Sequence, residues 1–282
     1  MALGLEDIPS DRVMDEIDRS LQELCGIQSL RYEGVLGHIY YANDLAAIIA
    51  QEMANPTVRK HIRFYPEDAG DKLSETWQAE RWKNELDSSL LTPMIRTQNQ
   101  DFFTDEVTLL RDGTACVPFR WLSRRNEMFA RAWKVILSDT RSGWIVDATQ
   151  ECEVPSSDFL LSYPQFAQSH HHYNLPGPSQ VFGKPPCLKT SGGGILPWEK
   201  PTVNPWRERS KGHRVVACPL WLYCDDTSGN LSKKWNKHNS FLFTLAGLPR
   251  RLVHLESNIH FLSTSNIAPP LEMLDGIVDQ LE

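Results

Sequence analysis

The chain has 282 residues, 41% of them hydrophobic and 23% charged, with 36 acidic against 29 basic side chains and a formal net charge of −7. Such a length buries a sizeable core in one large domain or two smaller ones. Because the balance is mildly acidic, wholesale non-specific binding to nucleic acid is not expected, and any polyanion contact must come from a local basic surface. No stretch approaches the roughly 18 to 20 apolar residues that span a bilayer. The start, Met1-Ala2-Leu3-Gly4-Leu5-Glu6-Asp7-Ile8, lacks the basic opening and apolar core of a secretory signal. An intracellular protein with no membrane partner is expected. The cysteines Cys25, Cys116, Cys152, Cys187, Cys218 and Cys224 form no C-x-x-C pair and no zinc-spaced array, so reduced thiols are the expectation.

The pattern is that of an α+β protein in four segments. Residues 1–95 read as a mostly helical N-terminal region. Ser10 or Asp11 caps a helix to about Leu24 that shows Val13, Ile17, Leu21 and Leu24 on one face. Asn43 or Asp44 caps a second, Leu45 to Met53, and a third is expected from Pro66-Glu67-Asp68 through Leu73, Trp77 and Trp82 toward Leu86. Trp77 and Trp82 read as core or inter-lobe anchors.

Residues 96–164 change to short strands: Glu106 to Leu110, Thr114 to Trp121, Met128 to Leu137, Gly143 to Asp147 and Glu151 to Pro155, separated by turn chemistry. Their spacing predicts a small antiparallel β-barrel-like lobe. Arg120, Arg124, Arg125, Arg131 and Lys134 interleave there with Trp121, Phe129 and Trp133. Basic and aromatic residues together grip a phosphate backbone and stack on bases, although a small barrel also needs aromatics inside and arginines outside. Residues 165–213 carry many prolines and the run Gly192 to Gly194, which predicts an irregular connector. His170-His171-His172 reads as a solvated loop, since consecutive side chains diverge. The glycine run lacks the Lys-Ser/Thr of a phosphate loop.

Residues 214–282 carry the sharpest signal. An apolar strand from Val215 to Cys224 ends in Asp225-Asp226, two carboxylates of the kind that hold a divalent metal on rigid backbone, or alternatively a solvated turn. Strands follow at Phe241 to Ala246 and Asn258 to Ser263, then an amphipathic helix from Pro269-Pro270 displaying Leu271, Leu274, Ile277, Val278 and Leu281. Strand, strand, strand, helix is the opening of a ribonuclease-H-like fold, so a partial β-β-β-α unit is expected. The chain stops at Glu282 before the strand that would bring a second acid. Of the acids downstream, those on the helix (Glu272, Asp275, Asp279) read as its solvent face.

Leu222-Tyr223-Cys224-Asp225-Asp226-Thr227-Ser228-Gly229-Asn230, with Ser232-Lys233-Lys234-Trp235-Asn236-Lys237-His238 and Thr244-Leu245-Ala246-Gly247-Leu248-Pro249, resembles a group of uncharacterised, mobile-element-associated proteins of mushroom-forming fungi. These are similar to the N-terminal part of CACTA-type (En/Spm-like) transposases. Phe64 to Gly70, Leu91 to Met94 and Ala130 to Trp133 extend the resemblance over most of the chain. It implies a Mg²⁺-dependent nuclease and strand-transferase core with Asp225 as first metal ligand and catalytic group, and Asp226 as its substitute. The later acidic motif of longer members does not occur here, so the expectation is a truncated, transposase-like nuclear protein without independent catalysis. Its DNA-backbone contacts would come from Arg120, Arg124, Arg125, Arg131, Lys211, Arg214, Lys233, Lys234 and Lys237, with Arg207 and Arg209 nearby. Two alternatives stand beside it. One is a nuclease completed by Asp139, Asp147 or Glu151 or by a second subunit. The other is a non-enzymatic interaction module that self-associates or takes a partner protein at the incomplete sheet.

Overall fold

A computed structural model describes residues 10–138, 143–184, 196–197, 200–228 and 237–281. The protein is α+β and divides into two compact units, one made of Met1–Ile62 with Leu220–Glu282 and the other of Arg63–Pro219. In chain order the first unit opens with α1 (Asp11–Cys25), β1 (Ser29–Glu33), β2 (Ile39–Asn43), α2 (Leu45–Ala54) and α3 (Pro56–Arg59). The second contains β3 (Met94–Thr97), β4 (Gln100–Phe103), β5 (Thr108–Leu110), β6 (Ala115–Arg124), β7 (Glu127–Leu137), β8 (Trp144–Pro155), β9 (Phe159–Leu161), α4 (Tyr163–Ser169), β10 (Val181–Lys184), β11 (Leu196–Pro197) and α5 (Pro205–Arg209). The first unit closes with β12 (Leu220–Ser228), β13 (Lys237–Leu245), α6 (Arg250–Val253), β14 (His260–Ser265) and α7 (Pro270–Val278). No helix among the described residues is long and apolar enough to cross a membrane.

In the first unit the expected α1 and α2 form, and Asp44 caps α2 by accepting from Ala47 N at 2.9 Å. The N-terminal region is not helical throughout, because β1 and β2 form a hairpin that joins the C-terminal strands in one antiparallel sheet, β1-β2-β14-β13-β12. A residue of α7 makes that junction. Glu272 is buried, and its carboxylate accepts from Leu36 N at 2.8 Å and pairs with His38 Nδ1 at 2.7 Å, both in the hairpin loop. The Tyr40 hydroxyl donates to the Glu272 carbonyl at 2.7 Å and accepts from Gly276 N at 3.2 Å. The expectation that Glu272 faces solvent is therefore corrected: α7 buries Glu272, Met273, Gly276 and Ile277 and leaves Leu271 and Val278 exposed, as is Leu281 beyond it. Close approach dictates this face. A Cβ on Gly276 would stand 2.4 Å from the Tyr40 hydroxyl and 2.8 Å from the Tyr32 ring, and one on Gly34 would meet the Glu272 side chain at 2.0 Å.

In the second unit the five expected strands become a seven-stranded sheet, β11-β10-β8-β7-β6-β5-β9, beside the separate hairpin β3-β4. The strands expected at 143–147 and 151–155 are one, β8, whose register against β7 jumps between Lys134↔Asp147 and Trp133↔Glu151. Buried Asp147 organises the jump, accepting from Thr149 N at 3.1 Å, Thr149 Oγ1 at 2.5 Å and Gln150 Nε2 at 3.1 Å. Among the described residues none of the sheets closes into a barrel. The reason is two-sided burial, since alternation along each strand sends neighbours to opposite faces. Leu110, Cys116 and Trp121 pack with Ile95, Phe102 and Phe159 on one side, while Leu109, Ala115 and Val117 pack with Trp144, Val146 and Phe166 on the other. A sheet covered on both faces by β3-β4 and α4 gains nothing by rolling up. The described residues of the connector are more regular than expected, contributing to α4 and supplying β10, paired parallel to β8, and α5.

The third expected helix is replaced by short turns, because Glu67 N and Asp68 N are bonded to Trp77 O and Ser123 O at 2.8 Å each rather than to a preceding turn. Trp77 and Trp82 are core anchors as expected, buried together with Leu91.

Two outcomes check this architecture. Gly276→Ala should destabilise the first unit by about 1–3 kcal/mol through overpacking, despite the helix propensity it adds; a raised denaturation midpoint would contradict the contact with Tyr40. Burial pushes the Glu272 carboxyl up, but hydrogen bonds from His38 and Leu36 outweigh it and hold the pKa below the usual glutamate value. With the folded pKa depressed, the contribution of these bonds to Glu272 is present above the unfolded value of about 4.3 and is lost as pH falls through the folded one. Acid titration of stability should accordingly show a shallower loss in Glu272→Gln than in the parent.

Candidate nucleic-acid interface and acid pair

β12 pairs with β13 from Leu220↔Leu245 to Ser228↔Lys237, and among the described residues nothing pairs with its outer edge. Asp225 and Asp226 lie on this outer strand and are exposed. As strand neighbours they project to opposite faces. The Asp225 carboxylate accepts from the Tyr223 hydroxyl at 2.7 Å and from Asp226 N at 2.8 Å, and that hydrogen bond raises the Tyr223 pKa. Glu272 sits with the β1-β2 hairpin, and β2 lies three strands away from β12, roughly 14 Å at the usual strand spacing. Of the acids expected to complete the site, Asp147 holds the β8 bulge and Glu151 pairs with Arg131 at 2.6 Å, while Asp139 lies outside the described residues. Among the described residues no three His, Cys, Asp or Glu side chains group so as to hold a metal ion. By themselves, then, they do not fit a two-metal centre.

The arginines of β6 and β7 are largely spent inside the second unit. Arg120 is buried and donates to the carbonyls of Trp82, Lys83 and Leu86, which removes it as a DNA contact. Arg124 forks onto Asp68 and Glu153 at 2.7–2.9 Å and stacks on Phe129 at 4.4 Å. Arg131 donates to Glu151 and Asn84 at 2.6 Å each. The cleft of about 420 Å³ beside them is lined by Asp68, Glu151 and Glu153 as well as Lys83 and Arg131, a mixed-charge surface unlike a phosphate groove. Arg125 is exposed at the β6-β7 turn in the left-handed region, φ 52°. Trp121 is core, and Trp133 stacks on Phe119 at 4.8 Å.

A different cationic surface follows α5. Asn204 caps this helix by accepting from Trp206 N at 2.9 Å, and Pro205 occupies its first turn. Arg207 points inward: its guanidinium donates to both oxygens of fully buried Glu106 at 2.8 and 2.5 Å and to Asp101 O at 2.9 Å, and it lies over Phe103 at 4.5 Å. Burial pushes the Glu106 carboxyl up, while Arg207 and the Asn204 N–H pull it back. Beyond α5 the backbone is tied at Gly212 O by Arg96 at 2.8 Å, at Val215 N by Met94 Sδ at 3.3 Å and at Ala217 N by Thr92 Oγ1 at 3.0 Å. From the end of α5 to these ties Arg209, Lys211, His213 and Arg214 are exposed, and Arg209 lies 5.5 Å over the half-exposed Trp206 ring.

The sequence-expected DNA residues thus separate. Lys211 and Arg214 come together with Arg209 on this pinned segment, Arg120 and Arg207 are structural, and Arg124 and Arg131 are ion-paired. Lys233, Lys234 and the Lys237 side chain lie outside the described residues. Trp206 and His213 were missed. The signal for Trp206 was available in Asn204-Pro205, a cap followed by a first-turn proline that orients the next residues.

A family model described as Domain of unknown function (DUF8591) matches residues 94–216, a range inside the second unit that includes Glu106, Arg207 and the basic segment. Neither a curated protein nor a solved structure matches the chain.

Arg207→Ala should leave the Glu106 carboxylate buried and unpaired, at a cost of about 3–5 kcal/mol. Denaturant unfolding of the full chain would show it as a lowered midpoint. A midpoint unchanged from the parent would mean that α5 is held by something else.

Proposed function

We propose that the chain is a mobile-element-derived, transposase-like protein that contacts the DNA backbone through Arg209, Lys211, His213 and Arg214 and does no phosphodiester chemistry alone. The observation that carries this reading is the pinned segment itself. Four exposed basic or protonatable side chains follow a half-exposed tryptophan on backbone held at Asn204, Gly212, Val215 and Ala217. On an acidic chain whose β-sheet arginines are internally paired, a local cationic surface of this kind is what a polyanion needs. Pre-fixed backbone also lowers the entropy lost on binding.

The transposase-like part of the reading draws support from β12, β13 and β14, which are neighbouring antiparallel strands followed by α7 with Asp225 on the first of them. That is the opening order of a ribonuclease-H-like core, and Asp225 would be one acid of a set completed by another chain. On this reading the protein works in the nucleus. A second reading rests on the same strand. Trp221, Leu222 and Tyr223 are exposed along β12 with no lysine or proline in the strand to deter pairing, a surface suited to strand addition by a partner protein.

Fluorescence anisotropy with duplex DNA tests the proposal. Affinity should fall as salt rises, and Arg209→Ala/Lys211→Ala/Arg214→Ala should weaken binding and reduce the log–log salt slope by about 0.9 per lost phosphate contact. Salt-independent binding, or a triple variant that binds like the parent, would reject the segment. Plasmid nicking in Mg²⁺ separates the catalytic reading: cleavage by the parent that disappears in Asp225→Ala would show a completed nuclease instead.

A further inference from the structure

α1 is a helix of 15 residues with a strongly one-sided apolar face, yet all its described side chains are exposed. Val13, Met14 and Ile17 are 43–44% exposed, Leu21 54% and Leu24 83%. Its C-terminal end is held where Gln51 of α2 donates to Cys25 O, while the apolar stripe is left exposed by the described residues. A helix this short is marginal in water, and packing of its apolar face normally supplies its stability. Some surface has to cover that face.

The spacing says which. Met14, Ile17, Leu21 and Leu24 are separated by three, four and three residues, the a-d-a-d order of a two-stranded coiled-coil seam. The flanks discriminate between orientations. In a parallel pair, Val13 and Ser20 at g lie opposite Asp18 and Cys25 at e of the second copy, so no like charges meet. An antiparallel pair brings the two Asp18 carboxylates together. Asp11, the other acid at e, has no g residue of α1 opposite it in the parallel pair, while Asp15, Glu16 and Glu23 and the arginines Arg12 and Arg19 occupy the outer positions b, c and f, where they stay in water. We infer that α1 is a self-association helix whose occupant is α1 of a second copy of this chain, in parallel register through Met14, Ile17, Leu21 and Leu24. This inference is independent of DNA contact.

With two heptads the association is weak and depends on protein concentration. Sedimentation of the full chain should show a monomer–dimer equilibrium, and Leu21→Asp should weaken dimerisation by about tenfold or more, since a buried seam leucine is lost. Because α1 is exposed in the monomer, this variant keeps the fold of the rest of the chain. Orientation is read by cross-linking in a Cys25→Ser background. Leu24→Cys at a d position faces its counterpart within the 4.4–6.8 Å Cα range of a disulfide, so it should form a covalent dimer under mild oxidation, while Asp15→Cys on the outer face should not. A parent that stays monomeric, a dimer indifferent to Leu21→Asp, or equal cross-linking by Asp15→Cys overturns the inference.

Discussion

Glu106 is a carboxylate with no access to water, and a buried ion of that kind is tolerable only where hydrogen-bonding partners replace its hydration. Its partners come from about a hundred residues downstream, the two-pronged Arg207 guanidinium and the Asn204 N–H. Satisfying one charge thereby fixes the Asn204–Arg207 end of the proline-rich connector. With Asn204 also bonded to Thr104, α5 has one docking position, and the exposed cations that follow it are displayed from a fixed base. The same inward turn of Arg207 stacks it on Phe103, so the ion pair also seals the edge of an apolar core.

A second buried carboxylate does comparable work in the first unit. Glu272 reaches the hairpin loop more than two hundred residues earlier in the chain, and through it β1 and β2 become part of a sheet whose other strands are C-terminal. The sheet is thus a closure of the two chain ends onto one another, with the 63–219 unit inserted between them in sequence. Gly34 and Gly276 are the steric condition for that closure, since a methyl group at either would occupy space held by the glutamate or by the tyrosines.

Where structure is decided by neighbours in sequence, it was legible in advance. A cap at Asn43 or Asp44, the one-sided α1 and the succession β12, β13, β14, α7 follow from local periodicity and turn chemistry, although β12 starts at Leu220 rather than Val215 and carries Asp225 and Asp226 within it rather than beyond its end. What escaped was decided at long range. Glu272 reads as a solvent-face residue until a hairpin far upstream is known to lie against it, and nothing in the local pattern around Pro66 announces that Asp68 bonds to Ser123. The barrel-like lobe failed for a related reason: strand spacing reveals neither that both faces of the sheet are covered nor that β10 is recruited from the connector. Among the candidate site residues, arginine and aromatic interleaving on β6 and β7 marked internal ion pairs and core, because the pattern is the same whether a guanidinium meets a phosphate or Asp68 and Glu153.

That ambiguity is resolved by counting what each cation already holds. A guanidinium forked onto two carboxylates, as Arg124 is, must give up those bonds before it meets a phosphate, and Arg120 would have to leave three backbone carbonyls unsatisfied. Exchange of one charged partner for another yields little net free energy. By contrast, Lys211, His213 and Arg214 have their backbone fixed and their side chains in water, so neutralising a phosphate costs them little beyond rotamer entropy. On the proposed reading, then, polyanion contact depends less on how many basic residues the chain contains than on where the folded core has left them uncommitted. Within the described part of the second unit, the densest such stretch is the one Glu106 anchors through Arg207.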